Sequence, residues 1–203
     1  MLLYETYISS NKAAFLTKVN QIAANLKVDP NWLMAIMYSE SRLDHTIVNP
    51  VSKSVGLIQF MPSTALSLGT SVEKLKAMTN VQQLDYVNKF FSPVAGKIKN
   101  FLDLYLYAFF PIAVGKPDSF VIEAQNLSAA IVTAQNKQLD LNNDGKITVG
   151  EFKQYVTNKF PDIVKLVDSI GLRIAKTLLA ITAINMLLVA GYLGYRKFIK
   201  KDL

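Results

Sequence analysis

Apolar residues recur at helical spacing along most of the chain, and strand-like alternation is scarce. The first such pattern lies between residues 4 and 27, where apolar positions follow one another at intervals of three or four. Asp29 and Pro30 then supply an N-cap and a first-turn proline for a second helix. Further helices are predicted over residues 71–78, 81–91, 93–110, 119–136, 151–160 and 163–176. The pattern as a whole predicts a mainly α fold.

One segment departs from the amphipathic pattern, because the stretch from Thr177 to Tyr195 contains no charged residue. As a helix, these 19 residues would span roughly 30 Å, the thickness of a bilayer's hydrocarbon core. Tyr192 and Tyr195 lie at its C-terminal end beside a basic cluster, as expected at a membrane interface. The alternative is a helix buried on all sides, but a chain of this size has little core to cover it. We therefore predict a transmembrane anchor over residues 177–195, with its basic end facing the cytoplasm or a virion's interior.

The amino-acid composition excludes several kinds of metal and catalytic site. Cysteine is absent and His45 is the sole histidine, which excludes disulfides, thiolate metal sites and histidine clusters and leaves little room for a histidine-based triad. The 203-residue chain is 51% hydrophobic and carries a formal charge of +7, which favours a polyanionic partner. The basic residues form no dense run before the C-terminal end, so we do not predict nucleic acid as that partner. The N-terminus lacks a basic region followed by an apolar one, so no secretory signal peptide is predicted.

The second predicted helix carries a carboxylate on its apolar side. Glu40 follows Ile36 by four residues and Met37 by three, so the three side chains share one face. Glu40 also falls near the helix end, where the helix dipole disfavours a negative charge. Burial and dipole would both raise the pKa of this carboxyl and keep it protonated near neutral pH, as a glycosidase acid requires. The spacing alone leaves open that Glu40 simply points into solvent.

Two motifs in this part of the chain resemble the soluble lytic transglycosylase family. Residues 37–43 read Met-Tyr-Ser-Glu-Ser-Arg-Leu, and residues 56–65 read Gly-Leu-Ile-Gln-Phe-Met-Pro-Ser-Thr-Ala, with Asn49-Pro50 between them. Members of that family have a lysozyme-like α fold, with a Glu-Ser pair ending one helix and a Gly-Leu-Met-Gln-type motif further along. The resemblance is clearest over residues 28–70 and extends to about residue 120.

The resemblance implies an activity and roles for three residues. Glu40 would be the sole catalytic acid and base, first protonating the bond between N-acetylmuramic acid and N-acetylglucosamine in peptidoglycan. It would then deprotonate the muramoyl C6 hydroxyl, so that a 1,6-anhydro ring closes without water. Gln59 would contact the sugar, and Gly56 would let the backbone approach it closely.

The family's third motif, commonly Ala-Tyr-Asn-Ala-Gly, is missing in that form. Residues 103–108 read Asp-Leu-Tyr-Leu-Tyr-Ala instead, which is closer to phage-type members. A tyrosine there should hydrogen-bond the catalytic acid, and Tyr105 and Tyr107 both remain candidates. A retaining hydrolase would need a second carboxylate about 5 Å from the first. Asp44 is the nearest in sequence, but it falls beyond the predicted helix end.

Residues 140–151 match the twelve-residue EF-hand calcium loop position by position, and helical patterns flank both sides. Gly145 supplies the sharp turn at the sixth position, and Ile147 is the apolar residue at the eighth. The predicted calcium ligands are Asp140, Asn142, Asp144, Lys146 through its carbonyl, Thr148 and Glu151. A single loop of this kind favours a structural Ca²⁺ clamp over a cooperative sensor. Some lytic transglycosylases also carry an EF-hand.

These elements predict three parts along the chain. Residues 1–136 form a lytic transglycosylase-like catalytic domain, residues 137–160 the calcium loop with its exit helix, and residues 161–203 a linker helix and membrane anchor. An anchor without a signal peptide favours a phage enzyme held in a virion membrane and acting on the host cell wall; a tail-anchored protein is the other arrangement. The alternatives in function are a hydrolytic muramidase, a non-catalytic membrane-anchored structural protein and, more weakly, a calcium-signalling adaptor.

Overall fold

A computed structural model describes residues 1–123 and 127–164, and Met1–Ile163 form one compact unit. The α-helices of the described residues include α1 Lys12–Leu26, α2 Pro30–Ser41, α3 Pro62–Ser67, α4 Val72–Ala77, α5 Asn80–Phe91, α6 Phe101–Phe109, α7 Ala129–Gln135 and α8 Val149–Lys159. Short 3₁₀ turns lie at Glu5–Tyr7, Ser92–Val94, Pro111–Ala113 and Lys137–Leu139. Within the described ranges, β pairing is limited to isolated bridges. The prediction of a mainly α fold is therefore confirmed.

Helix α2 lies at the centre of this unit, packed against α1 and α6. Its residues Leu33–Met37 are at most 1% exposed, so the helix is buried on every side through its middle turns. The helix begins at Pro30 because the Asp29 side chain accepts a hydrogen bond from the Asn31 amide. It ends at Ser41 because Arg42 and Leu43 both take a left-handed backbone conformation. The carboxyl end of α2 is thereby fixed inside the fold.

The structure corrects the predicted helix over residues 93–110. Only Phe101–Phe109 is α-helical, because Gly96 takes a positive φ of 71° and interrupts the pattern. Asn100 then starts α6 as its N-cap, accepting a hydrogen bond from the Asp103 amide. Apolar spacing alone does not show such an interruption.

The predicted helix over residues 119–136 is also wrong over residues 119–123 and 127–128. Helix α7 begins only at Ala129, and residues 120–122 run extended beside the predicted calcium loop. Ile122 donates its amide to the Ile147 carbonyl at 2.8 Å, and Val149 donates to the Phe120 carbonyl at 3.0 Å. Two extended segments thus satisfy each other's backbone, which local propensity could not foresee. The first predicted helix, over residues 4–27, is likewise shortened to α1 after a 3₁₀ turn.

Helix α8 is fastened to α6 by aromatic rings. Phe152 stacks on Phe109 with ring centres 5.1 Å apart and meets the edge of Tyr105 at 5.7 Å. Phe160, just after α8, contacts Phe101 at 5.5 Å. These contacts place α8 beside the carboxyl end of α2.

In the part of the chain that the structure describes, no helix is both long and apolar enough to cross a membrane. The predicted anchor over residues 177–195, and most of the linker helix before it, lie outside the described residues.

Candidate active site

Glu40 occupies the last turn of α2 and is half-buried. Burial raises the pKa of its carboxyl, while a hydrogen bond from Tyr105 and the positive charge of Lys159 lower it to a smaller degree. The negative end of the helix dipole also disfavours the charged form. The net result is an acid with a raised pKa, which is the property a proton donor to a glycosidic oxygen needs.

The two candidate tyrosines occupy different surroundings. Tyr105 is buried on α6 and donates its hydroxyl to Glu40 Oε1 at 3.2 Å. Burial, followed by the nearby charge of Glu40, raises the pKa of the Tyr105 hydroxyl, so it remains a protonated donor. Tyr107 instead packs against Phe90 and Phe91, with ring centres 5.5 and 6.0 Å away. The geometry thus brings Tyr105 to the acid and leaves Tyr107 in an aromatic cluster.

Two further side chains extend this contact, and the sequence did not single them out. The Ser39 hydroxyl lies 2.5 Å from the Tyr105 hydroxyl, and Lys159 of α8 donates to Ser39 Oγ at 2.7 Å. The ammonium of Lys159 also lies 5.6 Å from the ring centre of Tyr155. Ser39 lies within the motif of residues 37–43 but no motif contains Lys159, and the two residues come together only when α8 packs beside α2.

A pocket of about 220 Å³ opens at this point. Its lining residues are Ser39, Glu40, Tyr105, Phe109, Asn136, Gln138, Leu139, Phe152, Tyr155, Val156 and Lys159. Glu40 is the one carboxylate among these described lining residues. Four aromatic rings, two amides, two aliphatic side chains, a hydroxyl and an ammonium supply the rest of the lining, a combination suited to the apolar faces and hydroxyl groups of a sugar.

Asp44 is held in its own turn rather than turned toward the pocket. Its carboxylate accepts hydrogen bonds from the amide and the hydroxyl of Thr46, at 2.8 and 2.7 Å. It does not belong to the pocket lining, so the described residues place no second carboxylate there.

Gln59 and Gly56 lie in the loop that follows α2 and do not line this pocket. The Gln59 side chain accepts a hydrogen bond from Ser54 Oγ at 2.9 Å and donates one to the Gly56 carbonyl at 3.1 Å. Both hydrogen bonds are to residues of its own loop. Gly56 has a φ of 76°, and a Cβ there would lie 2.2 Å from Oε1 of Gln83. Because Gly56 has no Cβ, the side chain of Gln83 can occupy the space beside it.

The side chain of Gln83 connects that loop to α4 and α5 through three hydrogen bonds to backbone groups. It is fully buried on α5, accepts from the Leu57 amide at 3.0 Å and donates to the carbonyls of His45 and Leu75. The sequence offered one signal for it, a polar residue at helical spacing from Val87, four positions further along the chain.

Ser41 attaches the same loop to α2. Its buried hydroxyl lies 3.0 Å from the carbonyl oxygens of both Met37 and Leu57. The Glu-Ser motif and the Gly-Leu-Ile-Gln motif are therefore joined by a direct hydrogen bond.

The predicted calcium loop has a compact internal network. Asp140 accepts from the amides of Asp144 and Gly145, and Asn142 accepts from Asp144. Glu151 accepts from the Leu141 amide through Oε1 and from Thr148 through Oε2. Over the described ranges, no group of three or more His, Cys, Asp or Glu side chains is arranged to hold a metal ion.

The structure therefore brings together a half-buried carboxylic acid with a raised pKa, a tyrosine that donates to it and a pocket of about 220 Å³ on a helical framework. Residues 18–92 match a family model described as transglycosylase SLT domain. That stretch contains Glu40 and the loop with Gln59, and it ends before Tyr105. The match supports the lytic transglycosylase family, its general activity and peptidoglycan as substrate, and the helical fold is consistent with it. No curated protein and no solved structure matches the chain.

Proposed function

We propose that this protein cleaves the β-1,4 bond between N-acetylmuramic acid and N-acetylglucosamine and releases a 1,6-anhydro product. The observation that carries the proposal is Glu40, a half-buried carboxyl with a raised pKa and a tyrosine donor, in a pocket whose described lining holds no other carboxylate. A single acid must then act in both proton transfers.

In the first step the protonated Glu40 gives its proton to the glycosidic oxygen, and the bond from that oxygen to the muramoyl C1 breaks. The carboxylate left behind accepts the Tyr105 hydrogen bond. In the second step this carboxylate takes the proton of the muramoyl C6 hydroxyl, whose oxygen bonds to C1. Glu40 is protonated again, and no water is consumed.

The alternative reaction is hydrolysis. A retaining muramidase would place a nucleophilic carboxylate about 5 Å from the acid. Asp44 would have to leave its hydrogen bonds with Thr46 to take that role. A muramidase in which Glu40 activates water would need no second carboxylate and would release a reducing sugar.

The experiment is mass spectrometry of the fragments that the full chain, in detergent and calcium, releases from purified peptidoglycan. We expect anhydro-muropeptides, and a loss of about 10²–10⁴-fold in Glu40→Gln because the general acid is removed. The matched control is Glu73→Gln, an exposed glutamate on α4, which should release fragments at the wild-type rate. Reducing muropeptides would indicate the muramidase. No release by any folded variant would support a non-catalytic structural protein.

We also propose that the loop over residues 140–151 binds one Ca²⁺ that stabilises α8. The oxygen donors Asp140, Asn142, Asp144 and Glu151 come from a single loop with a positive φ at Gly145, which suits a hard cation. Lys146 would contribute its carbonyl and Thr148 the ninth position. Because α8 begins at this loop and carries part of the pocket lining, the ion would hold one wall of the pocket in place.

We further propose that residues 177–195 anchor the enzyme in a membrane, and that this membrane belongs to a bacteriophage virion that meets the host cell wall. The 19 uncharged residues and the basic residues after them support the anchor. The full chain should stay with membranes in alkaline carbonate and leave them in detergent, whereas a chain lacking residues 177–203 should be released by carbonate. Native protein found only in uninfected bacterial envelopes would contradict the virion location.

A further inference from the structure

The side chain of Lys159 reaches Glu40 through two intermediate hydroxyl groups. Its ammonium is 2.7 Å from Ser39 Oγ, which is 2.5 Å from the Tyr105 hydroxyl, which in turn is 3.2 Å from Glu40 Oε1. The three contacts connect α8, α2 and α6, elements that are far apart in the sequence. Nothing in the lytic transglycosylase match covers Lys159, because that match ends at residue 92.

While Glu40 is ionised, the hydrogen atoms in this series point in one direction, because a carboxylate only accepts and Tyr105 has a single proton to give it. An ammonium group has donors and no acceptor, so Ser39 Oγ must accept from Lys159. The Ser39 proton is then available to the Tyr105 oxygen, and the Tyr105 proton to Glu40. Every donor in the series is directed toward the carboxyl group.

We propose that Lys159 is a positioning residue that directs the Tyr105 hydroxyl toward Glu40 and supplies a positive charge behind it. This role rests on the proposed reaction, in which Glu40 alternates between acid and carboxylate. The carboxylate formed after proton donation is stabilised by a donor that Lys159 polarises. Lys159 thereby lowers the pH at which Glu40 changes from acid to base, against the effect of burial.

The charged and titratable groups around Glu40 are few in the described residues. Helix α6 contributes Tyr105, and α8 contributes Tyr155 and Lys159, of which Lys159 is the one basic side chain. Lys159 is the only cation in the described lining, so its removal leaves no nearby substitute.

The test compares three variants of the full, calcium-loaded chain in detergent. Lys159→Met removes the charge and keeps the aliphatic stem, Lys159→Arg keeps a donor and a charge, and Lys153→Met serves as the control. Lys153 lies on the same helix but pairs with Asp118 on the surface, at 2.7 Å. Each variant is measured by the pH dependence of kcat/KM and by the ¹³C carboxyl titration of Glu40. The chain has five glutamates, so Glu40→Gln assigns the signal by its disappearance.

We expect Lys159→Met to move the Glu40 titration and the alkaline limb of kcat/KM to higher pH together. Several-fold more activity should therefore remain above the wild-type limb, a gain that general damage to the fold does not produce. Lys159→Arg should retain the wild-type midpoint, and Lys153→Met should change neither curve. Ser39→Ala breaks the series but leaves the charge in place, and its shift should be in the same direction and smaller.

An unchanged Glu40 titration in both Lys159→Met and Ser39→Ala would overturn the proposal, whatever the activity. If Lys159→Met does not fold, the Ser39→Ala result decides by the same criterion. If the wild-type chain releases no muropeptides while the Glu40 titration still shifts in the variants, the proposed reaction fails and the contact between Lys159 and Glu40 stands. The two failures are therefore distinguishable.

Discussion

The pocket has two walls of different construction. The first is the carboxyl end of α2, which carries Ser39 and Glu40 and is supported by the loop that follows it; both lie inside the stretch of residues 18–92 that matches the family model. The second is formed by α6, the segment after α7 and α8, all beyond that match. The first wall is held by backbone carbonyls and buried polar side chains, whereas the second is held by aromatic packing and by the hydrogen-bonded loop over residues 140–151. The first wall positions the acid, and the second determines its surroundings.

Tyr105 and Lys159, which act on the charge of Glu40, both belong to the second wall. Catalytic groups need a pKa matched to their role, and that match is made by neighbours rather than by the group itself. We therefore expect substitutions in the first wall to lower the free energy of unfolding. Substitutions in the second wall should change the rate of the proposed reaction and its dependence on pH.

The largest change in stability is expected at the first wall, from Gly56→Ala. The new Cβ would lie 2.2 Å from Gln83 Oε1, and alanine would also be strained at a φ of 76°. We expect a loss of about 2–4 kcal/mol in the free energy of unfolding, measured by urea denaturation. Gly69→Ala is the matched control, because it shares a positive φ of 78° but meets no atom within 4 Å. Equal losses in both variants would show that Gln83 does not depend on the space at Gly56.

Removal of calcium should affect the second wall. If the loop binds Ca²⁺, chelation should lower the free energy of unfolding by about 2.7 kcal/mol relative to a free calcium concentration one hundredfold above Kd. Asp140→Asn should remove most of this dependence in thermal unfolding. Asp118→Asn, the same change beside the loop and outside the ligand set, should retain it because it loses only a surface ion pair. A calcium response that survives Asp140→Asn would place the ion elsewhere.

Substitutions of Tyr105 and Tyr107 test the contact between the second wall and Glu40 on the first wall. Tyr105→Phe removes the donor to Glu40, and we expect kcat/KM to fall about ten- to hundredfold, since a hydrogen bond to a charged group contributes roughly 1.5–3 kcal/mol. Tyr107→Phe should stay within about twofold, because a phenyl ring preserves the packing against Phe90. A larger loss in Tyr107→Phe than in Tyr105→Phe would reverse the assignment.

The smallest effect is expected in the pH dependence of stability. Burial raises the folded-state pKa of Glu40 above its ordinary value of 4.5, so the folded protein binds this proton more tightly than the unfolded chain. The resulting stability is fully present below the ordinary value and is lost as pH rises through the folded-state pKa. Glu40→Gln should therefore become more stable relative to wild type across that window, in urea denaturation from acid to neutral pH.

Glu5→Gln provides a control of opposite sign. The Leu2 amide and then Lys12 lower the pKa of Glu5, so the wild-type carboxylate contributes stability above the ordinary value that is lost as pH falls. The same sign in both variants would contradict the raised pKa of Glu40.

The sequence by itself determined the mainly helical fold and the position of Glu40 at the carboxyl end of α2, because both depend on local rules. The Asp29-Pro30 start, the apolar spacing and the Glu-Ser motif placed Glu40 at the end of a buried helix before any contact was known. The positions of the calcium loop were also readable, since each is defined by its offset from Asp140. The predicted calcium binding, membrane anchor and virion location remain predictions.

Only the tertiary structure decided the second wall. The choice of Tyr105 over Tyr107 as the partner of Glu40 required the orientation of α6, and the extended pairing of residues 120–122 replaced a helix that local spacing had predicted. Ser39 and Lys159 are 120 residues apart in the chain, and no periodicity relates them. Contacts between distant elements depend on how whole helices pack, so local sequence patterns carry little information about them.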